Sequence, residues 1–149
     1  MGVIVAITVS FDLLHPGHKD HIEKASKLGD RLIVMVQPGH ALVNKRGCEV
    51  LDYKDRLILA EMIKWLNPDN QVVEVIDTDG TCVETLRELK PDIYAKGGDR
   101  TPDNMVQAEI DVCEEIRCEI VYGVGDLLNS STDMFMNAMK KFQGLEKVK

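Results

Sequence analysis

Several features that would direct the reading elsewhere are scarce in this 149-residue sequence. Its longest apolar runs, VIVAI and LIVMV, fall far short of the roughly 20 residues that cross a bilayer. The opening MGVIVAITV lacks the basic start and cleavage site of a secretory signal, so a soluble, cytoplasmic protein with no membrane partner is expected. Cysteine is limited to Cys48, Cys82, Cys113 and Cys118 with no CxxC pair, which points to buried free thiols rather than a disulfide framework. Basic residues are outnumbered: 18 Lys and Arg stand against 25 Asp and Glu, a formal charge of −7 at pH 7. Such a balance argues against a surface that condenses on nucleic acid. No stretch is rich in Pro, Gly or Ser, and no internal repeat is visible, so one domain over residues 1–149 is expected, with 44% hydrophobic residues to fill its core.

What the sequence does have is alternation. VIVAITV (3–9) is a continuous β-branched run of the kind buried on both faces of a parallel sheet. A helix should follow from Gly17 to Leu28, where Ile22, Ala25 and Leu28 recur at helical spacing and Gly29 supplies a stop. RLIVMV (31–36) reads as a second strand, 37–52 as irregular, and YKDRLILAEMIKWL (53–66) as a helix ending before Asn67-Pro68. Then come strand QVVEVI, helix CVETLREL, strand IYAK, helix NMVQAEIDVCEEI, strand EIVYG and a last helix from SSTDMF through Met139 to Phe142. This order predicts an α/β, doubly wound, mostly parallel five-stranded sheet with helices on both faces. Such sheets bind ligands at the carboxyl ends of their strands, where the strand order reverses. Segments 10–17, 37–52 and 97–104 should lie there. Trp65 and the group Met134, Met136 and Met139 read as core residues, with a subunit interface as the alternative.

SFDLLHPGHKDH (10–21) places His15, His18 and His21 at the start of the first helix. Pro16 suits a first helical turn and Gly17 lets a ligand approach the backbone. The unpaired N–H groups and the dipole of that helix end favour an anion, so two imidazoles above it would form a phosphate cradle. His21, three residues after His18, reads as an exposed surface residue. Local packing of the histidines is the plain alternative; a zinc site is another, but no third ligand has a recognisable spacing and no HExxH occurs. Lys45, Arg46 and Arg56 are by default solvated charges. The Gly-Gly-Asp of YAKGGDRTPDN is a common turn, and Ser130, Ser131 and Thr132 of NSSTDMF could simply cap a helix.

SFDLLHPGH resembles the G-x-F-D-x-x-H-x-G-H signature of the cytidylyltransferase-like nucleotidyltransferases, and KLGDRLIVMV continues that pattern through the next strand. H-x-G-H also occurs in class I aminoacyl-tRNA synthetases, but this chain is too short for one and has no K-M-S-K-S. The resemblance implies a Rossmann-like fold in which His15 and His18 bind the triphosphate and stabilise the transition state. It also places Ser10 and Phe11 at the nucleotide, Lys45 on phosphate nearer the incoming substrate, and Arg56 on phosphate nearer the nucleotide. YAKGGDRTPDN is similar to the K-G-G-D-x-x-P element of the sugar-phosphate (heptose 1-phosphate) adenylyltransferase branch, which implies that Gly97, Gly98 and Asp99 line the nucleotide pocket. Ser130, Ser131 and Thr132 match the family's hydroxyl stretch that holds polyphosphate. Two departures stand out: Val9 occupies a usual glycine, and GVGDLLNSST has Asp126 and no arginine where the cytidylyl branch carries Arg-Thr-x-Gly-Ile.

The implied reaction is transfer of a nucleoside monophosphate, AMP by preference, from a nucleoside triphosphate (ATP or CTP) to a phosphomonoester such as a sugar phosphate, with release of pyrophosphate. His15, His18, Lys45 and Arg56 would supply donors, and Mg²⁺ would bridge phosphate oxygens without a dedicated protein cage. CTP-dependent transfer to an alcohol phosphate such as glycerol 3-phosphate is the nearest alternative. Val9 and the absent arginine motivate another, a catalytically weak nucleotide-binding module. Relatives in the family are commonly homodimers, and the same is expected of this chain.

Overall fold

Five short strands lie side by side, and every neighbouring pair runs parallel. They are β1 (Ile4–Val9), β2 (Arg31–Val36), β3 (Gln71–Glu74), β4 (Ile93–Ala95) and β5 (Glu119–Val121), in the order β3-β2-β1-β4-β5. The computed structural model describes residues 2–126 and 129–148. From the central β1 the chain winds outward through β2 and β3, then crosses back to build β4 and β5 on the other side. The order therefore reverses between β1 and β4, which pair with Val5 opposite Ile93 and Ala6 opposite Tyr94.

Alternation along β1 and β2 assigns residues to the two faces. Val5, Ile7 and Val9 join Leu32, Val34 and Val36 in one core with Ile22 and Ala25 of α1 (Pro16–Ser26) and Ala60 of α3 (Tyr53–Ala60). On the opposite face Ala6, Met35 and Tyr94 pack with Leu86 of α4 (Val83–Leu89) and with Val112 and Cys113 of α5 (Gln107–Glu115). Both faces are covered, which is why β1 and β2 read as unbroken apolar runs. Cys82, Cys113 and Cys118 are buried free thiols and Cys48 is half-buried. Burial pushes the Cys82 thiol up to about 12. Among the described residues no helix is long and apolar enough to cross a membrane.

The structure differs from the sequence expectation in four places. Segment 37–52 is not all irregular, because α2 (Gly39–Arg46) occupies part of it and places Lys45 on a helix. Its apolar signal is weak: Leu42 is buried while Val43 faces solvent. The helix expected over 53–66 is α-helical only to Ala60 and tightens to a 3₁₀ turn over Glu61–Trp65. With three residues per turn Met62 and Trp65 eclipse each other on the outer side, and Ile63 takes the inward position. Trp65 is thus 87% exposed rather than core. Met134, Met136 and Met139 are also exposed, since α6 (Ser131–Val148) follows the last strand and presents them to solvent.

Candidate functional site

The segment that leaves β1 is held in a conformation that most side chains avoid. Phe11 and Leu13 both have positive φ, 54° and 57°, a cost of roughly 1–3 kcal/mol per residue that surrounding contacts must offset. Those contacts are present. Phe11 is buried in the core, and between the two residues the Asp12 carboxylate accepts hydrogen bonds from the backbone of Val50 (2.7 Å) and Leu51 (3.0 Å).

The chain then turns into α1 through His15, an extended N-cap followed by Pro16. The His15 N–H donates to His18 Nδ1 at 3.2 Å, so His18 carries its ring proton on Nε2. The two rings stack with centroids 3.9 Å apart and planes 23° apart. His15 Nδ1 is buried and has no hydrogen-bond partner among the described residues, and burial lowers the His15 pKa, which favours the neutral ring. Gly17 explains the small residue between the histidines: a Cβ there would stand 2.9 Å from His15 Cε1 and 3.0 Å from His15 Nδ1. Any side chain would displace the ring.

The stacked pair opens onto a cavity of about 350 Å³ at the carboxyl edge of the sheet, above the β1/β4 reversal. The structure brings most of the expected residues to it. Ser10, His15 and His18 line one side, Lys45 of α2 another, and Gly97, Gly98 and Asp99 the end of β4. Ser130, Ser131 and Thr132 complete the wall at the start of α6, with the Ser131 hydroxyl donating to the Leu13 carbonyl at 3.0 Å. Val9 lies at the border of the cavity and in the core at once. Leu127 and Leu128, part of the stretch without arginine, lie outside the described residues.

Three expectations are corrected. Arg56 does not line the cavity; it is fully buried behind it. Its Nε donates to the Leu51 carbonyl at 3.1 Å, its Nη1 to the carbonyls of Ser10 (2.9 Å) and Gln37, and its Nη2 to Glu49 at 2.8 Å. The guanidinium thus ties the exits of β1 and β2 to the segment between α2 and α3, which makes Arg56 a positioning residue. Phe11 is likewise core and not cavity wall, because its positive φ turns the ring under the loop. His21 is not an exposed surface residue: it is half-buried, lines the cavity, and holds Nδ1 2.6 Å from the Val124 carbonyl oxygen.

Residues to which the sequence assigned no role in the site also line the cavity, notably Thr8, Gln37, Lys96, Arg100 and Asp126. Lys96 is the most unusual. Its ammonium donates to the Tyr94 hydroxyl at 3.1 Å and lies 4.6 Å from the ring centroid. Tyr94 in turn donates to Glu109 Oε1 at 2.9 Å, and the other Glu109 oxygen accepts from the Cys82 backbone at 3.2 Å. Burial lowers the Lys96 pKa, opposed by the nearby Glu109 carboxylate. The available sequence signal was its place as the lysine of the K-G-G-D element.

Stacked imidazoles, hydroxyls and lysines line one polar cavity at the N-terminus of α1, a set of groups suited chemically to a polyphosphate ester. The expected free amides are fewer than the sequence implied, because Pro16 has no N–H and the His18 and Lys19 N–H groups donate to the His15 carbonyl. Fold and site together define a nucleotide-handling enzyme of the doubly wound class. Residues 7–140 match the family model described as cytidylyltransferase-like, and the chain belongs to that family. It is 40% identical over 111 residues to the FAD synthase of Methanobrevibacter ruminantium, covering 72% of this chain and 71% of that one. The bifunctional protein HldE of Histophilus somni is 36% identical over 103 residues, covering 69% of this chain but only 21% of HldE, so the chain spans about a fifth of that relative. Among solved structures, a lipopolysaccharide core biosynthesis protein from Thermoplasma volcanium GSS1 superposes with a TM-score of 0.68 at 28% identity, over 85% of this chain and 99% of that one. The protein is a nucleotidyltransferase, of the type that joins a nucleotide to a phosphomonoester.

Proposed function

We propose that the protein transfers AMP from ATP to a phosphomonoester, with riboflavin 5′-phosphate as the first acceptor to test. The observation that carries the transfer reading is the stacked His15–His18 pair over the opening of α1, facing a cavity large enough for a nucleotide. The choice of acceptor is supported by the FAD synthase likeness, which extends over similar shares of both chains. In FAD the phosphate of an AMP unit is joined directly to the phosphate of riboflavin 5′-phosphate, so its formation is adenylyl transfer to a phosphomonoester.

In this reading an acceptor phosphate oxygen attacks the α-phosphorus of ATP, a P–O bond forms, and the bond to pyrophosphate breaks. A phosphate monoester is already ionised near neutral pH, so no general base is needed and catalysis rests on alignment and charge stabilisation. His18 Nε2–H, His15 and the positive end of the α1 dipole face the polyphosphate. Ser130, Ser131 and Thr132 hold its far end, and Gly97, Gly98 and Asp99 border the nucleoside. Lys45, with Gln37 and Leu42 on the β2 side, faces the acceptor. Mg²⁺ supplies neutralisation of phosphate charge when bound. Asp99 and Asp126 are the carboxylates among the described residues that line the cavity, and no three His, Cys, Asp or Glu side chains among those residues converge as a cage. That donor set suits a cation held mainly by phosphate oxygens and water.

The test is pyrophosphate release with ATP or CTP against riboflavin 5′-phosphate, heptose 1-phosphate and glycerol 3-phosphate. Turnover of ATP with riboflavin 5′-phosphate is expected. Turnover confined to ATP with the sugar phosphate would move the acceptor to the HldE type; CTP with glycerol 3-phosphate would replace the adenylyl reading. Nucleotide binding without turnover of any pair would overturn the assignment.

A further inference from the structure

His21 stands one helical turn beyond His18, and its ring is pinned. With Nδ1 2.6 Å from the Val124 carbonyl oxygen, Nδ1 carries the proton and donates. Val124 is tied in turn to the other wall of the cavity, its N–H donating to the Lys96 carbonyl at 2.9 Å. Two more contacts seat the same loop on α1. The Asp126 N–H donates to Asp20 Oδ2 at 2.7 Å. Gly125, at φ +101°, packs so closely that a Cβ would stand 2.9 Å from the Cα of His21.

This arrangement fixes the tautomer. A neutral imidazole that donates through Nδ1 presents a lone pair at Nε2. Nε2 of His21 has no hydrogen-bond partner among the described residues, and the residue borders the cavity. Charged groups facing the ring are Lys96 and Asp99 from the segment after β4 and Asp20 from α1 itself. Burial, the largest influence, and Lys96 disfavour a second ring proton, and they outweigh the opposite pull of the Val124 hydrogen bond, Asp99 and Asp20. His18 and His21 therefore face the same cavity in opposite tautomers, one a donor at Nε2 and the other an acceptor. An acceptor cannot pair with phosphate oxygens, which are themselves acceptors. It can pair with a hydroxyl or an amino group.

We propose that His21 is a nucleoside-binding residue of this site: it holds the Val124 loop through Nδ1 and accepts, at Nε2, a hydrogen bond from a ribose hydroxyl or a base amino group. The inference rests on the nucleotide reading of the cavity. It assigns the third histidine to recognition of the nucleoside, where the other two serve the phosphates.

Two substitutions separate the two bonds. In His21→Asn the amide nitrogen sits where Nδ1 was, keeping the donor to Val124 and deleting the acceptor. In His21→Gln the longer side chain returns an oxygen to the Nε2 position. Calorimetric titration would use α,β-methylene-ATP and its counterparts lacking the 2′-hydroxyl, the 3′-hydroxyl or the 6-amino group. For the unaltered protein, one of the three omissions should weaken binding about tenfold, the worth of one hydrogen bond. His21→Asn should bind the complete analogue about tenfold more weakly and be indifferent to that omission, while His21→Gln should remain sensitive to it. Equal affinity and equal penalties in the unaltered protein and His21→Asn would overturn the role of His21 alone. Failure of the unaltered protein to bind any ATP or CTP analogue would instead overturn the nucleotide reading. Circular dichroism of each variant confirms that it is folded. If the Asn variant is not, the ¹⁵N shift of His21 Nε2 in the unaltered protein takes its place: it should move on binding the complete analogue and not on binding the analogue whose omission weakens affinity, and no movement with either overturns the role.

Discussion

Replacing Arg56 by methionine tests whether this cation touches the nucleotide or builds the wall behind it. The guanidinium is fully buried and donates to three backbone carbonyls and to Glu49. Methionine fills much of the volume but leaves those carbonyls and the carboxylate without their donor. Removing one partner of a buried ion pair costs roughly 3–5 kcal/mol. Glu49 keeps 30% of its side chain exposed and can partly rehydrate, so the low end applies, about 3 kcal/mol. For a domain of this size each kcal/mol moves Tm by about 2–4 °C, so Arg56→Met should melt about 6–12 °C below the unaltered protein. Arg56→Lys should recover little, because an ammonium cannot reproduce the planar fork that reaches Leu51, Ser10 and Glu49 together. Thermal unfolding followed by circular dichroism, paired with ATP titration, reads both quantities. A variant that melts normally yet binds ATP tenfold more weakly would refute the positioning role and return Arg56 to the phosphates.

Loss of the His18 imidazole by His18→Ala should lower kcat by about 10² or more, since one donor to developing charge is worth about 3 kcal/mol. It should lower Tm by only a few degrees, the cost of the lost contact with the His15 N–H; an unchanged kcat would remove His18 from the mechanism. The pH dependence of stability follows from His15 and His21, whose pKa values burial holds below the ordinary 6.5. The unfolded chain binds these protons more readily than the folded one, so the stability they contribute is complete above pH 6.5 and is lost as pH falls through the lowered folded values. Tm should therefore decline below about pH 6.5, and less steeply in His21→Asn. The loss of the Asp20 contribution lies at more acidic pH, because its hydrogen bond from Asp126 and its pairing with Lys24 hold that carboxylate below 3.8.

Much of the architecture is local and was therefore legible in the residue order. β-branched runs such as IVAITV form strands wherever they are buried, and Pro16, Gly17 and the paired histidines define a strand-to-helix turn whatever lies beyond it. The motif stretches around His15, Gly97 and Ser130 were likewise readable, and they meet at one cavity because a doubly wound sheet gathers its strand exits at a single edge. Other assignments depended on contacts distant in sequence. Whether Arg56 faces ligand or backbone depends on where the carbonyls of Ser10 and Gln37 fall, 46 and 19 positions away. Whether His21 is surface or site depends on Val124, 103 positions away. Hydrophobic periodicity and motif spacing carry no information about such partners, because hydrogen-bond geometry is fixed only when separate segments pack. The sequence by itself determined the strands, most of the helices and the strand-to-helix turn that carries His15 and His18; tertiary structure decided which charged and titratable groups face the cavity and in which tautomer.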